Sequence, residues 1–412
     1  MKFPTVIALW IVAILLGVIA YFVKFHGAED ETARTELAPG EKLCENLPIR
    51  DIYGVTLTQG DQKTHLVRGE GNAWGVKERA DYPIDYELLR NLLGALNSIE
   101  VTQGYPTASE YFSRFGLADE LTADDEKLGY LGAIKVTMAG KDGTTLAEVA
   151  MGKYSGTSHV GGRFLRVSGD DSGVYAVAET FPGVTADPKN WLGKDFLKID
   201  QMATISLSAP HDPAFKNWKL SRLNSQSQFT LVGITDTEVM QLTSTNALRN
   251  LLANSSFQDV LSTERVAELS QPDEKLRKKA LITTFDGLSY NLEFWPHKIL
   301  PKDPNADSRL PAPLPSYNLT IKVTADIPTS RNKSAAEKPE DAKMLDAQFS
   351  QLQNQAQQKF TSVKALEGRI FQVSQHVISP LQKKRSDYVK SKTTPSATSA
   401  PSLPLQPAPG QP

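Results

Sequence analysis

The feature that most constrains this chain is an uncharged apolar segment close to its N-terminus. No residue from Phe3 to Val23 carries a charge, and about 21 residues at the helical rise span roughly 31 Å, the thickness of a bilayer's hydrocarbon core. A cleavable signal peptide has a shorter apolar stretch of ~7–15 residues. Val18-Ile19-Ala20 is a candidate cleavage site, but apolar residues continue beyond it. We therefore expect residues 1–25 to form an uncleaved transmembrane anchor.

The charges beside this segment favour an orientation only weakly. Lys2 precedes it, and Lys24 and His26 follow it just ahead of acidic residues, which count little in the positive-inside rule. The large C-terminal body and the lack of a second apolar span favour an N-terminus inside and the bulk of the chain outside the cytoplasm.

The composition excludes several classes of function. The chain has 412 residues, with 45 basic against 47 acidic side chains, so no net charge attracts it to nucleic acid. Cys44 is the single cysteine, which rules out an intrachain disulfide and any cysteine-built metal site. Its distance from the apolar run and the lack of a small-residue box favour a buried or idle thiol over a lipidation site.

The soluble part begins with short strands. Residues 26–50 are polar and are interpreted as a juxtamembrane linker, and residues 51–199 as a first α+β module. Its opening pattern predicts a three-stranded meander, and Asp85 is a suitable N-cap for the leucine-rich helix that follows. Two further hairpins are predicted, over residues 133–151 and 164–177.

The order of elements repeats in a second module, residues 200–390. Strands are predicted at 205–207, 218–220 and 229–231, followed by a helix that contains Leu248–Leu252. The pentapeptide there, Leu-Arg-Asn-Leu-Leu, is identical to Leu89–Leu93 in the first module. Its place after three strands in both modules favours duplication over chance. Asp286-Gly287 predicts a tight hairpin between strands 281–285 and 288–295.

The C-terminal part is predicted to be mainly helical. Apolar residues at spacings of three and four indicate a long helix over residues 341–366, and this stripe is either a seam for a partner helix or, as we favour, a face packed on its own module. A last basic helix is predicted over residues 381–389. The Pro/Ser-rich segment 391–412 is predicted to be disordered.

Motifs that carry chemistry are weak throughout the sequence. Residues 156–163 have glycine spacing without the Lys-Ser/Thr ending of a phosphate loop. Ser155, Ser158 and His159 lie in no nucleophile elbow, and the acidic residues of 119–126 lack the spacing of a calcium loop. We therefore predict no catalytic, cofactor-binding or metal-binding residues and no enzyme activity.

A few other features admit a binding role. Exposed tryptophans would suit a sugar polymer, although core packing is the favoured interpretation of Trp74, Trp191, Trp218 and Trp295. Lys383-Lys384-Arg385 is a small basic patch, interpreted either as a solvated helix face or as a contact for anionic headgroups or an acidic partner. Three Asn-x-Ser/Thr patterns begin at Asn254, Asn318 and Asn332.

A resemblance to a known family rests on several motifs together. They are the stretch from Trp74 to Arg79, Tyr82-Pro83-Ile84-Asp85, Leu88–Leu93, Phe115-Gly116-Leu117, the strand 162–167 and Asp187–Leu192. With the N-terminal anchor, these resemble the bacterial family catalogued as domain of unknown function 4340, well over residues 1–200 and more loosely over 200–390. The resemblance implies a membrane-anchored protein associated with ABC-type or gliding-type export systems.

These observations lead to one expectation. We expect an α+β protein in which an N-terminal transmembrane helix precedes two related modules of antiparallel meanders with packed helices. It would lie in the bacterial inner membrane with its bulk in the periplasm and act without cofactors as a scaffold beside an ABC-type permease and its ATPase, without binding nucleic acid. The alternative is a module that binds a cell-envelope polymer.

Overall fold

Antiparallel sheets joined by a few helices make up the part of the chain that the computed structural model describes, an α+β architecture. The chain divides into two units, Met1–Lys194 and Asp195–Pro412. None of the described helices is long and apolar enough to cross a membrane, and the predicted anchor lies outside the described residues. Those residues are 34–45, 47–118, 130–156, 161–249, 251–253, 255–262, 274–297, 315–331, 333 and 337–392.

In the described part of the first unit, a nine-stranded sheet is accompanied by two helices. The strands are β1 (Gly54–Gln59), β2 (Gln62–Arg68), β3 (Trp74–Val76), β4 (Tyr82–Pro83), β5 (Val101–Pro106), β6 (Ile134–Ala139), β7 (Thr145–Tyr154), β8 (Arg163–Val167) and β9 (Gly173–Val177), and the helices are α1 (Tyr86–Ser98) and α2 (Phe112–Phe115). The predicted meander and both predicted hairpins are confirmed by the pairing of these strands.

The strands of the first unit do not pair simply in sequence order. The sheet runs β4-β3-β2-β1-β6-β7-β8-β9-β5, so β5 skips three strands and pairs antiparallel with β9 at the edge. Alternate residues face the core: Val55 and Leu57 of β1 are 1% and 0% exposed, and Val136 of β6 is fully buried. This period of two is the pattern that places one face of a sheet against a core.

Helix α1 begins where the sequence predicts. The carboxylate of Asp85 accepts hydrogen bonds from the backbone N–H groups of Glu87 and Leu88, at 3.1 and 3.2 Å, and so satisfies donors that a helix N-terminus leaves free. Leu89, Leu92, Leu93 and Leu96 form its buried face. Their spacing of three and four residues aligns them on one side of the helix.

Part of the predicted linker is packed onto the first unit. Leu43 and Leu47 are buried, and the backbone from Gly40 to Leu43 bonds to residues 99–101 beside β5. At the same edge, Tyr175 donates its hydroxyl hydrogen to Asp170 and accepts a bond from the N–H of Leu37. We call residues 35–43 the strap. The interpretation of the whole of 26–50 as a polar linker was wrong for this part, because the strap adds backbone hydrogen bonds to an edge strand.

Cys44, directly after the strap, provides a prediction. Its side chain is buried, which raises the pKa of its thiol to about 11. At pH 8 about one thiol in a thousand is then ionised, so we expect a disulfide reagent to react roughly 100-fold more slowly with the folded protein than with the denatured protein. Absorbance of the released reagent measures both rates, and equal rates would contradict the prediction.

The described residues of the second unit form an eight-stranded sheet, a two-stranded sheet and three helices. The strands are β10 (Met202–Ser208), β11 (Trp218–Ser221), β12 (Thr230–Leu231), β13 (Glu238–Met240), β14 (Asp259–Leu261), β15 (Lys278–Thr284), β16 (Leu288–Pro296), β17 (Ser316–Ala325), β18 (Ile370–Ser374) and β19 (Val389–Ser391), and the helices are α3 (Leu242–Arg249), α4 (Pro339–Lys364) and α5 (Gln375–Ile378). The hairpin predicted at Asp286-Gly287 is confirmed as β15–β16.

The two large sheets share one topology. The second runs β12-β11-β10-β15-β16-β17-β18-β14. In each unit the first strand of the opening meander pairs with the first strand of a second meander, β1 with β6 and β10 with β15. In each unit the strand that follows the helix then pairs with the last strand of that second meander, β5 with β9 and β14 with β18.

An equivalent hydrogen bond occurs inside each unit and shows which residues of the two units correspond. The N–H of Asp85, just before α1, donates to the carbonyl of Trp191 at 2.7 Å, and the N–H of Gln241, just before α3, donates to the carbonyl of Tyr388 at 2.8 Å. Both aromatic side chains are fully buried. Since Asp85 corresponds to Gln241, Leu92 corresponds to Leu248, and the identical pentapeptides are displaced by one helical turn rather than superposed.

Helix α4 is the main addition to the second unit. It has 26 residues, a length of about 39 Å, and lies between β17 and β18. The corresponding strands of the first unit, β8 and β9, are joined by a short turn. Ala356 and Val363 are buried, whereas Met344 and Leu352 are more than half exposed. Of the predicted stripe, the C-terminal half is thus the better covered part, whereas Leu345 and Phe349 in the N-terminal half are half-buried and Leu352 is exposed.

The predicted C-terminal helix was wrong. Residues 379–382 and 385–388 form short 3-10 turns, and Val389–Ser391 form β19, which pairs with β13. The break lies at Lys383 and Lys384, whose backbones are extended, with ψ of 145° and 161°, and the N–H of Lys384 donates to the carboxylate of Asp387 instead of continuing a helix. Ser391 is therefore part of a strand and not of the predicted disordered tail, the rest of which lies outside the described residues after Lys392.

Candidate functional site

The four tryptophans among the described residues do not form an exposed platform. Trp191, Trp218 and Trp295 are at most 5% exposed, and Trp74 is half-buried. The indole N–H groups of Trp191 and Trp218 donate to the carbonyls of Thr185 and Lys383, at 2.8 and 2.9 Å, as buried indoles require. Stacking on a sugar needs an open ring face, and Trp191, Trp218 and Trp295 do not present one.

Several sequence motifs fall outside the described residues. They include the acidic stretch 119–126, Ser158 and His159, and the sequons at Asn254 and Asn332. The third sequon asparagine, Asn318, lies in β17 and is 7% exposed. Its side-chain oxygen is 2.8 Å from Nδ1 of His297, so a glycan has no access to it in the folded chain.

The described residues give little support for catalysis. They hold no cluster of three or more metal-ligating side chains. The Ser374 hydroxyl lies 2.6 Å from Nδ1 of His376, but Ser374 is half-buried, His376 is exposed, and no described carboxylate contacts this histidine. A base without a group to orient it is not the arrangement of a serine hydrolase.

Hydrogen bonds hold the basic triplet Lys383-Lys384-Arg385 in place, and it does not lie on an α-helix. We call this triplet the wall, because it forms one side of a groove described below. The carbonyl of Lys383 accepts from the indole of Trp218, and its ammonium donates to the carbonyl of Ser244 at 3.3 Å. The N–H of Lys384 donates to the carboxylate of Asp387 at 2.8 Å. The wall rests on Tyr388, whose ring lies 4.9 Å from that of Trp218.

Arg385 forms a two-pronged ion pair with Glu238 of β13. Its two terminal nitrogens donate to the two carboxylate oxygens at 2.7 and 2.8 Å, and one of them also reaches the carbonyl of Gly233. The hydrogen bonds from Arg385, helped by the N–H of Thr235, lower the pKa of Glu238 to about 2. The charges of Arg385 and Glu238 neutralise each other, and the bonds of Arg385 connect the turn that precedes β19 to β13.

This ion pair predicts a dependence on acid. A pKa lowered in the folded state stabilises the fold above the ordinary pKa near 4.5, and this stabilisation is lost as the pH falls from about 4.5 to about 2. We therefore expect the free energy of unfolding of the wild type to exceed that of Glu238→Gln at pH 6. This difference should disappear by pH 2. Denaturant unfolding across this range measures it, with Glu340→Gln on exposed α4 as control. A gap that does not change with pH would contradict the ion pair.

A groove of about 550 Å³ opens beside this wall. Its lining comes from three places in the chain: residues 212–216 after β10, Glu238 of β13, and the segment from Lys384 to Ser391. Lys278 of β15 lies next to it, with its ammonium 5.1 Å from the ring centre of Phe215. Burial lowers the pKa of Lys278, Asp212 acts in the opposite direction, and Lys384 reinforces the lowering.

Charge in the groove is not balanced. Lys216 and Lys384 are exposed, and no carboxylate pairs with either of them among the described residues. Besides the paired Glu238, the carboxylates near Lys278 and Lys384 are those of Asp212 and Asp387. Sequence reasoning found Lys384 and Arg385 but missed Lys216 and Lys278, because the strands that bring these lysines together are far apart in the chain.

Comparison with known proteins places part of the chain in a family. Residues 74–278 match the family described as "Domain of unknown function (DUF4340)". The match runs from β3 in the first unit to the first residue of β15 in the second. No curated protein and no solved structure matches the chain. Through residues 74–278, this chain therefore belongs to the DUF4340 family.

Proposed function

We propose that this chain is a non-enzymatic, single-pass protein of the bacterial inner membrane whose periplasmic body acts as an auxiliary or scaffold component of an ABC-type or gliding-type export complex. The observation that carries the proposal is the uncharged segment from Phe3 to Val23, long enough to span a bilayer. The shared sheet topology supports a body of two related modules that arose by duplication.

The strap supports a short connection between anchor and body. Residues 35–43 are fastened to the edge of the first unit by backbone bonds and by Tyr175. Only residues 24–34 separate the apolar segment from the strap, and a chain of that length reaches at most about 40 Å. A body held so close to the membrane meets a membrane partner at high effective concentration, so that contacts too weak in solution suffice.

Co-purification from native membranes tests the proposal. We expect tagged full-length protein, solubilised in mild detergent, to recover a multispan permease and its ATPase. A chain that lacks residues 1–26 should lose them, because confinement to the membrane is lost. A chain that lacks residues 393–412 should keep them, since this deletion spares β19. If crosslinking in native membranes recovers only the protein itself, or if the body turns over a substrate, the proposal is wrong.

A further inference from the structure

The groove of the second unit has an excess of positive charge that its own structure does not neutralise. The Arg385 guanidinium makes three hydrogen bonds to Glu238 and Gly233, and its charge is paired with that of Glu238. That leaves the ammonium groups of Lys216, Lys278 and Lys384 against the two carboxylates of Asp212 and Asp387, an excess of one positive charge. Like charges brought close together favour the arrival of an anion.

The other groups of the groove indicate what the anion carries. Ser386 and Ser391 line the same space, and their hydroxyls are donors that suit phosphate oxygens. Lysine ammonium groups bind phosphate as point charges. A volume of about 550 Å³ is far larger than one phosphate, and Phe215 and Val389 give the groove an apolar side for the rest of a ligand.

We propose that this groove binds a phosphate-bearing anion attached to a larger organic body, with Lys216, Lys278 and Lys384 as the charged contacts. The inference does not depend on the export partner, because it concerns the isolated chain. Two sources carry this chemistry, a soluble phosphate ester and the headgroup of an anionic phospholipid.

Lysine footprinting on the full-length protein in neutral detergent tests the proposal. Amine acylation read by mass spectrometry gives the reactivity of each lysine, first without ligand, then with glycerol phosphate, and separately with phosphatidylglycerol mixed into the micelles. Lys390 is an internal control, because it is exposed on β19 but points away from the face that Val389 and Ser391 present to the groove.

We expect Lys216 and Lys384 to be protected and Lys390 not. Protection by glycerol phosphate assigns a soluble ester, and protection by phosphatidylglycerol alone assigns a lipid headgroup. Lys384→Met should weaken protection of Lys216 by about tenfold, whereas Lys390→Met should not change it. No protection in either arm, or equal protection of Lys390, would overturn the proposal. So would protection by a polyglutamate peptide but by neither phosphate source.

Discussion

Replacing Trp191 with alanine is expected to destabilise the first unit by about 3–5 kcal/mol, the range for removing a fully buried large aromatic side chain. The side chain is fully buried, and its indole bond to Thr185 is lost together with its packing. The backbone of Trp191 also accepts the bond from Asp85 that precedes α1. Hydrogen exchange of the β9 amides, measured by mass spectrometry, gives the free energy of opening of this unit.

Two further variants help to interpret this loss. One separates the indole hydrogen bond from apolar packing at Trp191, and the other is a control at an exposed aromatic residue. Trp191→Phe keeps most of the apolar contact but leaves the Thr185 carbonyl without its donor, for which we expect a loss of about 1–3 kcal/mol. Tyr111→Ala removes an aromatic side chain that is 43% exposed and should cost much less. A Trp191→Ala variant as stable as Tyr111→Ala would show that the indole is not a core residue.

Gly162→Ala is the second change expected to have a large effect. Gly162 has φ of +99°, and a Cβ placed on it would overlap the carbonyl oxygen of Val177. Alanine costs about 1–2 kcal/mol in this left-handed region, and displacement of a backbone carbonyl on β9 adds about 1–3 kcal/mol. Exchange of the amides of β8 and β9 should therefore show a total loss of about 2–5 kcal/mol.

Gly143→Ala is a matched control for this substitution. Gly143 also has a positive φ, +84°, but a Cβ there meets nothing within 4 Å. The Gly143→Ala variant should therefore lose only the stability that a positive φ costs an alanine residue. If the two alanine variants are equally stable, the close approach between Gly162 and Val177 does not exist.

Local features of the fold were predictable from the sequence because short-range chemistry decides them. Asp85 is an N-cap residue whose carboxylate reaches the first free N–H groups of α1. Asp286-Gly287 forms a turn at which Gly287 adopts a φ of +86°, which few other residues tolerate. Neither feature depends on residues distant in the chain.

Strand order was not predictable, because it depends on pairing between distant segments. Nothing in Val101–Pro106 indicates that this strand pairs with β9 rather than with a sequence neighbour. The strap was missed for the same reason: its polar composition is typical of a linker, and its fastening depends on Tyr175 and Asp170, far along the chain. The repeated pentapeptide correctly drew attention to two similar units, but the hydrogen bonds of Asp85 and Gln241 align them differently.

The candidate site was only partly visible in the sequence. Lys383-Lys384-Arg385 stands out as a run of charges, but the sequence does not show that Arg385 is neutralised by Glu238. Lys216 is an isolated lysine and Lys278 belongs to the separate basic run Arg277-Lys278-Lys279, and the sequence does not show that β15 and the segment after β10 place both lysines beside Lys384. A site assembled from three separate segments leaves no spacing pattern to recognise.

Labelling of a single cysteine in the body shows on which side of the membrane the body lies. Leu223 is 91% exposed, and Cys44 is the only native cysteine, so Leu223→Cys in a Cys44→Ser background gives one accessible thiol. A membrane-impermeant maleimide added to intact spheroplasts should label it fully, without lysis, if the anchor holds the body outside the cytoplasm. Labelling that appears only after lysis would place the body inside and contradict the account.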